Sequence, residues 1–421
     1  MSNPITKIRT ILRDYSFHLR NFRRNVKLLI LSHLLFSTAI GVFGVFFNVY
    51  LKKGGFQEDF IGGLSSIGTF TTVLIAIPAG IYASRVGPRK ALLYALPLLI
   101  VSYALSSITL IPAVLIILSI LTGIGNMIFN AAFNPCLTSN SLPENRHYVF
   151  SLSLGLMNFS GVAGSLLGGF VPDLLSDCFG LSEFHALRIT LFSAAILAFS
   201  GFLPLLKLDE GVRCEGPKLP RWGLDFSDKK SIRVFSRFVI LNLIIGFGAG
   251  FTVPFLSIYF SSEFGLKPTI IGYIFSGAAA ITGVAVLISP LLVRRFGKLY
   301  AMIIPQAVSL PFILVLAHSR VVWLSVAAFW IRGALMNASN PVMNQIVMEK
   351  SPEERRPVIQ NLMSLSWNLA WACSVAISGF MIKSRGYMLP FYITFVVYVA
   401  YVLTLYLFFR KDRALATPEG L

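Results

Sequence analysis

GIYASRVGPRK, residues 80–90, puts Arg85, Arg89 and Lys90 in one tight turn between two long apolar runs. A soluble domain carries about a quarter charged residues, with turns like this scattered among polar surfaces. This chain has 421 residues, 55% hydrophobic and only 13% charged, which excludes a water-soluble core. Outward from the turn, apolar runs of about 20 residues recur, the length a helix needs to cross the hydrocarbon layer. Twelve are legible: 28–51, 60–82, 91–110, 112–139, 148–172, 186–206, 236–261, 269–292, 299–318, 321–348, 358–382 and 387–410. The fold class expected is therefore an all-α integral membrane protein with twelve transmembrane helices.

The net charge of +18 would suit nucleic acid, but the positions of the cations argue against it. Segments 1–27, 83–90, 141–147, 207–237, 293–298, 349–357 and 410–421 hold most of the 36 Lys and Arg. These are alternate loops, and basic loops stay cytoplasmic. Both termini are expected in the cytoplasm of a multi-pass plasma-membrane protein. The surplus charge then faces anionic lipid, so membrane lipid is an expected partner and nucleic acid is not. In residues 1–27, Ile5, Ile8, Leu12, Tyr15, Leu19, Phe22 and Val26 recur at spacings of three and four, with cations between them. That pattern reads as an amphipathic segment on the inner membrane face rather than a cleaved signal peptide; the alternative is a basic tail that only sets topology.

Cys136, Cys178, Cys214 and Cys373 are scattered, so no disulfide framework is implied. No Walker-type phosphate loop, metal-ligating cluster or nucleophile–base pair stands out, so no cofactor, no metal and no enzyme activity are expected.

The halves repeat at a shift close to 209 residues. Asn48-Val49-Tyr50-Leu51 matches Ser257-Ile258-Tyr259-Phe260, Ile61-Gly62 matches Ile271-Gly272, and Arg85-Val86-Gly87 matches Arg295-Phe296-Gly297. Asn134-Pro135 and Pro143–Arg146 have counterparts in Asn340-Pro341 and Pro352–Arg355. The domains are then a basic segment 1–27, a six-helix bundle 28–206, a cytoplasmic linker 207–235, a second bundle 236–410 and a tail 411–421. Two such repeats suit a rocker that exposes a central site alternately to each side.

Gly80, Ala83, Arg85, Gly87, Arg89 and Lys90 match the signature between spans two and three of the major facilitator superfamily, which this chain resembles along its whole length. The resemblance implies a solute transporter, with spans 1, 4, 7 and 10 lining the path and the 80–90 turn acting as a gate with its counterpart Arg294, Arg295 and Gly297. The chain also departs from the family. Ser84 replaces the Asp that latches the cytoplasmic gate, leaving a hydroxyl able to cap a helix. Gly164-Ser165-Leu166-Leu167-Gly168-Gly169 is similar to a drug-antiporter element but has Ser165 for its Pro, and Ser119 stands where span 4 of antiporters has Arg. These departures weigh against a proton-driven drug exporter.

The Asp and Glu residues all fall in loops or at span ends. Arg332 is the exception among charges, about 16 Å into a layer about 30 Å thick. A cation there costs at least about 2.5–3.5 kcal/mol. Either an anionic substrate offsets that cost, or carbonyls freed at Pro135 or Pro341 do. Asn126, Asn130, Asn134 and Thr138 recur every fourth residue in span 4, as do Arg332, Met336, Asn340 and Asn344 in span 10. His33, Ser37, Gly41, Gly44 and Asn48 mark span 1, and Asn242, Gly246 and Gly250 mark span 7. Spacing of four puts each set on one face. The stripes read as a polar cavity, with helix packing as the competing explanation. His33 would carry a coupling proton or make an interhelical hydrogen bond. Trp367, Asn368 and Trp371 would wall the site or pack.

The function expected is secondary transport of a small polar, anionic organic solute by a monomer working through alternating access. Arg332, Asn126, Asn130, Asn340, Asn344, His33 and Asn242 would bind it, and Gly80, Ser84, Arg85, Gly87, Arg89, Lys90, Arg294, Arg295 and Gly297 would gate it. The alternatives are efflux of drugs or lipophilic compounds, and a non-transporting membrane sensor or scaffold.

Overall fold

The computed structural model describes residues 22–209, 229–351, 356–412 and 415, and every regular element among them is helical. Most of the amphipathic segment, most of the linker and most of the tail lie outside the described residues. The first half comprises α1 (Arg24–Lys53), α2 (Glu58–Val86), α3 (Pro88–Ile108), α4 (Pro112–Asn140), α5 (Arg146–Phe179) and α6 (Glu183–Leu206). In the second half, α7 runs through Lys229–Thr252, a single 3-10 turn Val253–Phe255, and Leu256–Phe264. The helical stretch Pro268–His318 is two crossings, α8 and α9, that meet at Gly297, where the backbone leaves helical geometry. Then α10 is Val322–Ala338 and Asn340–Lys350 joined at Ser339, followed by α11 (Arg356–Arg385) and α12 (Met388–Phe409). Ten described helices are individually long and apolar enough to span a membrane. Dividing Pro268–His318 at Gly297 and joining the two pieces of α10 makes twelve crossings.

The repeated sequence blocks become repeated bonds. Tyr50 donates its hydroxyl to the Ser107 carbonyl at 2.9 Å, and Tyr259 donates to Leu316 at 2.8 Å, each over a separation of 57 residues. Each tyrosine thereby ties the end of the first helix of its half to the end of the third. Gly87 (φ 91°, ψ 143°) and Gly297 (φ 77°, ψ 164°) occupy a region closed to residues with a Cβ. The Arg-x-Gly repeat is thus a backbone requirement of the turn between the second and third helices of each half. The repeat is less regular at its Asn-Pro pairs: α4 runs straight through Pro135, whereas α10 breaks just before Pro341.

Within lipid, helices associate through close packing of small residues rather than by escape from water. A Cβ on Gly41 of α1 would lie 3.2 Å from Gly164 Cα of α5, and one on Gly250 of α7 would lie 2.9 Å from the Trp371 carbonyl of α11. The Gly164–Gly169 stretch is accordingly a packing surface: Gly164 and Gly168 seat α1, and Gly169 seats α8.

Even-numbered crossing brings residues 24 and 409 to one face, called here the terminal face. The halves meet at the opposite face. A Cβ on Gly62 of α2 would lie 3.1 Å from Gly379 Cα of α11, and one on Gly272 of α8 would lie 3.1 Å from Gly169 Cα of α5. Ser66 donates to the Ala372 carbonyl at 2.7 Å and Asn48 to the Pro254 carbonyl at 2.9 Å across the same seam. Toward the terminal face these surfaces part. Continuing the α2 contact face, Ile77 is 49% exposed; Leu154 of α5 and Leu287 of α8 are 58% and 79% exposed. The halves are splayed at the terminal face and closed at the other.

Candidate functional site

A cavity of about 410 Å³ lies against the first half, a size ordinary for a small-molecule site. Its lining comes from five helices. From α1 come Ile40, Phe43, Gly44, Phe47 and Asn48; from α2, Leu64, Ser65, Gly68, Thr69 and Thr72; from α3, Tyr103 and Ser106. Helix α4 adds Leu115, Ser119, Thr122, Gly123 and Asn126, and Asn368 reaches in from α11 of the other half. Close packing shapes the wall, since Gly123 abuts the Gly68 carbonyl.

Among the described residues, the wall carries hydroxyls, amides and aromatic rings, and no carboxylate, ammonium or guanidinium. Thr69 donates to the Ser65 carbonyl at 3.0 Å, Thr72 to Gly68 at 3.0 Å, Thr122 to Leu118 at 2.8 Å and Ser119 across to Leu64 at 2.7 Å. A hydroxyl has one proton and two lone pairs. With each proton given to backbone, these side chains offer acceptors to whatever enters. Asn48 and Asn368 each give one amide N–H to a carbonyl, those of Pro254 and Ser364, keeping an acceptor oxygen and a second N–H. The cavity is therefore acceptor-rich, with the faces of Phe43, Phe47 and Tyr103 as its apolar part.

Of the residues singled out from sequence, Asn126 lines this cavity and meets the Tyr103 hydroxyl. One turn nearer the terminal face, Asn130 is exposed, so the α4 stripe leads from the cavity toward the splayed end. Asn340 and Asn344 are exposed in the second piece of α10, and Asn340 donates to Asn337 at 3.0 Å. Asn242 donates to the Phe238 carbonyl of its own helix at 3.0 Å. His33 is half-buried, with Nδ1 3.3 Å from Ser153 Oγ and its ring 4.2 Å from that of Phe133. That is the interhelical arrangement.

Arg332 is not among the lining residues. It is 7% exposed, and Nη2 donates to the Tyr398 hydroxyl of α12 at 2.9 Å. Its partner is thus a phenol rather than the proline-freed carbonyls weighed above. Ser84 also differs from expectation: its hydroxyl donates to the Ile81 carbonyl in the same helix at 2.8 Å and caps nothing. Around the turns, Arg85, Lys90, Arg294 and Arg295 are exposed, and Lys298 pairs with Glu349 at 2.7 Å.

Sequence reasoning missed Ser65, Thr69 and Thr72. Their spacing of four and three places them on one face of α2, a signal available in the sequence but overshadowed by the Asn stripes.

A family model described as Major Facilitator Superfamily matches residues 29–237 and again 238–420. Multidrug resistance protein MdtG of Yersinia enterocolitica is 27% identical over 299 residues, covering 68% of each chain. MdtG of Dickeya zeae is 29% identical over 299 residues, 68% of this chain and 69% of that one. Among solved structures, a bacterial homologue of the human lysosomal transporter Spinster, inward-facing and unoccupied, superposes with a TM-score of 0.74 at 13% identity, covering 93% of this chain and 97% of that one. The nucleoside transporter NupG gives 0.72 at 15% identity, with 92% and 98% covered.

Proposed function

The chain belongs to the major facilitator superfamily, and from that premise we propose that it is an efflux carrier for amphiphilic organic compounds that bear hydrogen-bond donors, neutral or cationic. The observation that carries this reading is the acceptor-rich, aromatic-walled cavity without a cation. An anion would find no cation among the lining residues there and would face mostly lone pairs. A donor-bearing molecule finds partners for its N–H or O–H groups and ring faces for its apolar body, and aromatic faces also attract cations. The anionic class expected from Arg332 loses its support, because Tyr398 already engages that guanidinium. Similarity to multidrug resistance proteins supports the efflux alternative over the small-anion reading.

Basic loops hold the terminal face in the cytoplasm. With that orientation the splayed end opens inward and the seam closes the outer face, the state in which a carrier loads solute from the cytoplasm. Closure at one end with opening at the other is the geometry of alternating access by two rocking halves. Asn126 and the α2 and α4 hydroxyls bind the solute in this reading, Asn130 lies on its approach, and the Gly87 and Gly297 turns connect the helices that move.

The test is binding of ethidium, a planar aromatic cation with amino donors, to the purified protein in nanodiscs by fluorescence anisotropy. A panel of aliphatic carboxylates and phosphates is run as competitors. The expected result is saturable ethidium binding, weakened by Asn126→Leu and indifferent to the anions. Binding of a carboxylate, lost in Arg332→Ala and unchanged in Asn126→Leu, would overturn the reading and return the site to Arg332.

A further inference from the structure

The seam at the opposite face holds a set of ionisable groups that the solute cavity does not use. Glu58, the first residue of α2, is 5% exposed. Its Oε1 lies 2.8 Å from Lys52 Nζ of α1 and accepts from the Tyr387 hydroxyl, just before α12, at 3.3 Å. Next to it, Asp59 Oδ2 pairs with Lys383 Nζ of α11 at 2.6 Å. On the other seam, Asp173 Oδ2 of α5 accepts the Thr269 N–H at 3.0 Å in the first turn of α8, where the helix end favours negative charge.

These contacts are related by the repeat. The offset of 210 residues that carries 62 to 272 and 169 to 379 also carries 59 to 269 and 173 to 383. Each seam thus has one glycine-on-glycine crossing and one carboxylate clamp, the carboxylate on the second helix of its half in one seam and on the fifth in the other. Duplicated clamps at equivalent positions, each joining the two halves, are what a gate requires.

The geometry points to a proton-accepting latch formed by Glu58, Asp59 and Asp173: ionised, it holds the opposite face shut, and protons arriving from that face release it. This inference rests on the alternating-access reading. Proton transfer to Asp59 removes the ion pair with Lys383. On Glu58 it removes the pair with Lys52 and leaves the Tyr387 hydroxyl a weaker acceptor. On Asp173 it removes the charge attracted to the α8 terminus. Lys52 from α1 and Tyr387 before α12 face Glu58, Lys383 from α11 faces its neighbour Asp59, and Glu263 from the end of α7 acts on Tyr387. Burial, then the Glu58 charge, hold the Tyr387 phenol far above its ordinary range, so it remains a donor. The losses at Asp59 and Asp173 both remove contacts between the halves, whereas the Glu58–Lys52 pair lies within the first half and Glu58 reaches the other half through Tyr387. The Lys383 hydrogen bond holds the Asp59 carboxyl below its ordinary range while this face is closed, so the open form binds that proton more readily and falling pH shifts the population toward opening.

The test places spin labels at Ile111→Cys and Val321→Cys, exposed equivalents in the loops of the two halves at that face, in a background without the four native cysteines. Distances are measured in nanodiscs at about pH 7.5 and about pH 4.5, bracketing the ordinary carboxylate range. The expected result is a rise of about tenfold in the long-to-short population ratio on acidification. E58Q/D59N/D173N should show the long distance at both pH values, and Asp59→Glu should restore pH-dependent closure. If the triple variant does not fold, Asp59→Asn and Asp173→Asn separately must each raise the long population at the higher pH. A distribution that ignores pH, or variants that match the parent, would overturn the latch. If ethidium at constant pH still moves the distance in that case, the carrier reading survives; if neither moves it, both fall.

Discussion

Arg332 donates from Nη2 to the Tyr398 hydroxyl at 2.9 Å, and its guanidinium lies 5.4 Å from the centre of that ring. Two helices of the second half, α10 and α12, are joined there by a buried cation and its phenol. Tyr398→Phe removes the acceptor and leaves the charge, so we expect a loss of about 1–3 kcal/mol of stability, read as a lower Tm in detergent. Arg332→Ala should lower Tm as well, and the double variant should lose less than the sum. Ethidium affinity should stay within about twofold in all three, because the pair stands apart from the cavity wall.

Acceptors on the cavity wall should matter one bond at a time. Thr69→Val and Thr122→Val keep shape and remove a hydroxyl whose lone pairs face the cavity. Each should weaken a donor-bearing ligand by about 0.5–1.5 kcal/mol, roughly twofold to tenfold in Kd by titration. A ligand of the same size without donors should bind both variants no worse than the parent.

Much of this architecture was legible in the sequence. Span number, the repeat and the Arg-x-Gly turns follow from apolar run length and from blocks that recur at a fixed shift, and these are local constraints on one helix or one turn. Asn126 was legible because its stripe repeats every fourth residue. The partner of Arg332 was not legible, because burial cost says only that a partner exists and Tyr398 sits unmarked in the aromatic run of α12. The α2 hydroxyls were hidden differently: a Ser or Thr that bonds its own helix resembles packing until neighbouring helices define a cavity beside it. The carboxylates at the opposite face read as loop residues, since nothing in the sequence pairs Asp59 with Lys383 before the halves are docked.

Gly87 and Gly297 make a prediction about the terminal face. Their dihedral angles demand glycine, so Gly87→Ala or Gly297→Ala should cost about 1–3 kcal/mol each. Gly80, which has open space around a would-be Cβ and helical geometry, should tolerate alanine. Thermal unfolding of the three variants checks the ranking.

Lys298, 2.7 Å from Glu349, holds that carboxyl below its ordinary range, helped by Gln345. A depressed value stabilises the fold above the unfolded carboxylate pKa, about 4.3, and the contribution disappears as pH falls through the folded value. Glu349→Gln should therefore lower Tm at neutral pH, by a small amount because the carboxylate is exposed, and the difference from the parent should vanish in acid. A Tm difference that grows on acidification would contradict this sign.

Gly379 offers a steric test of which end moves. A Cβ there would collide with the Glu58 carbonyl, and one on Gly62 would sit 2.7 Å from the Val375 carbonyl. Backbone cannot yield as a flexible side chain can, so Gly379→Val should push α2 and α11 apart at the opposite face. In the rocking mechanism that favours closure of the terminal face, because the halves move as bodies. Gly63, one residue along α2 with nothing within 4 Å, supplies the control. Labelling of a cysteine at Ile77, exposed in the splayed end, should slow several-fold in Gly379→Val and stay unchanged in Gly63→Ala. Equal rates in both would mean that the seam adapts locally and that the two faces are not coupled.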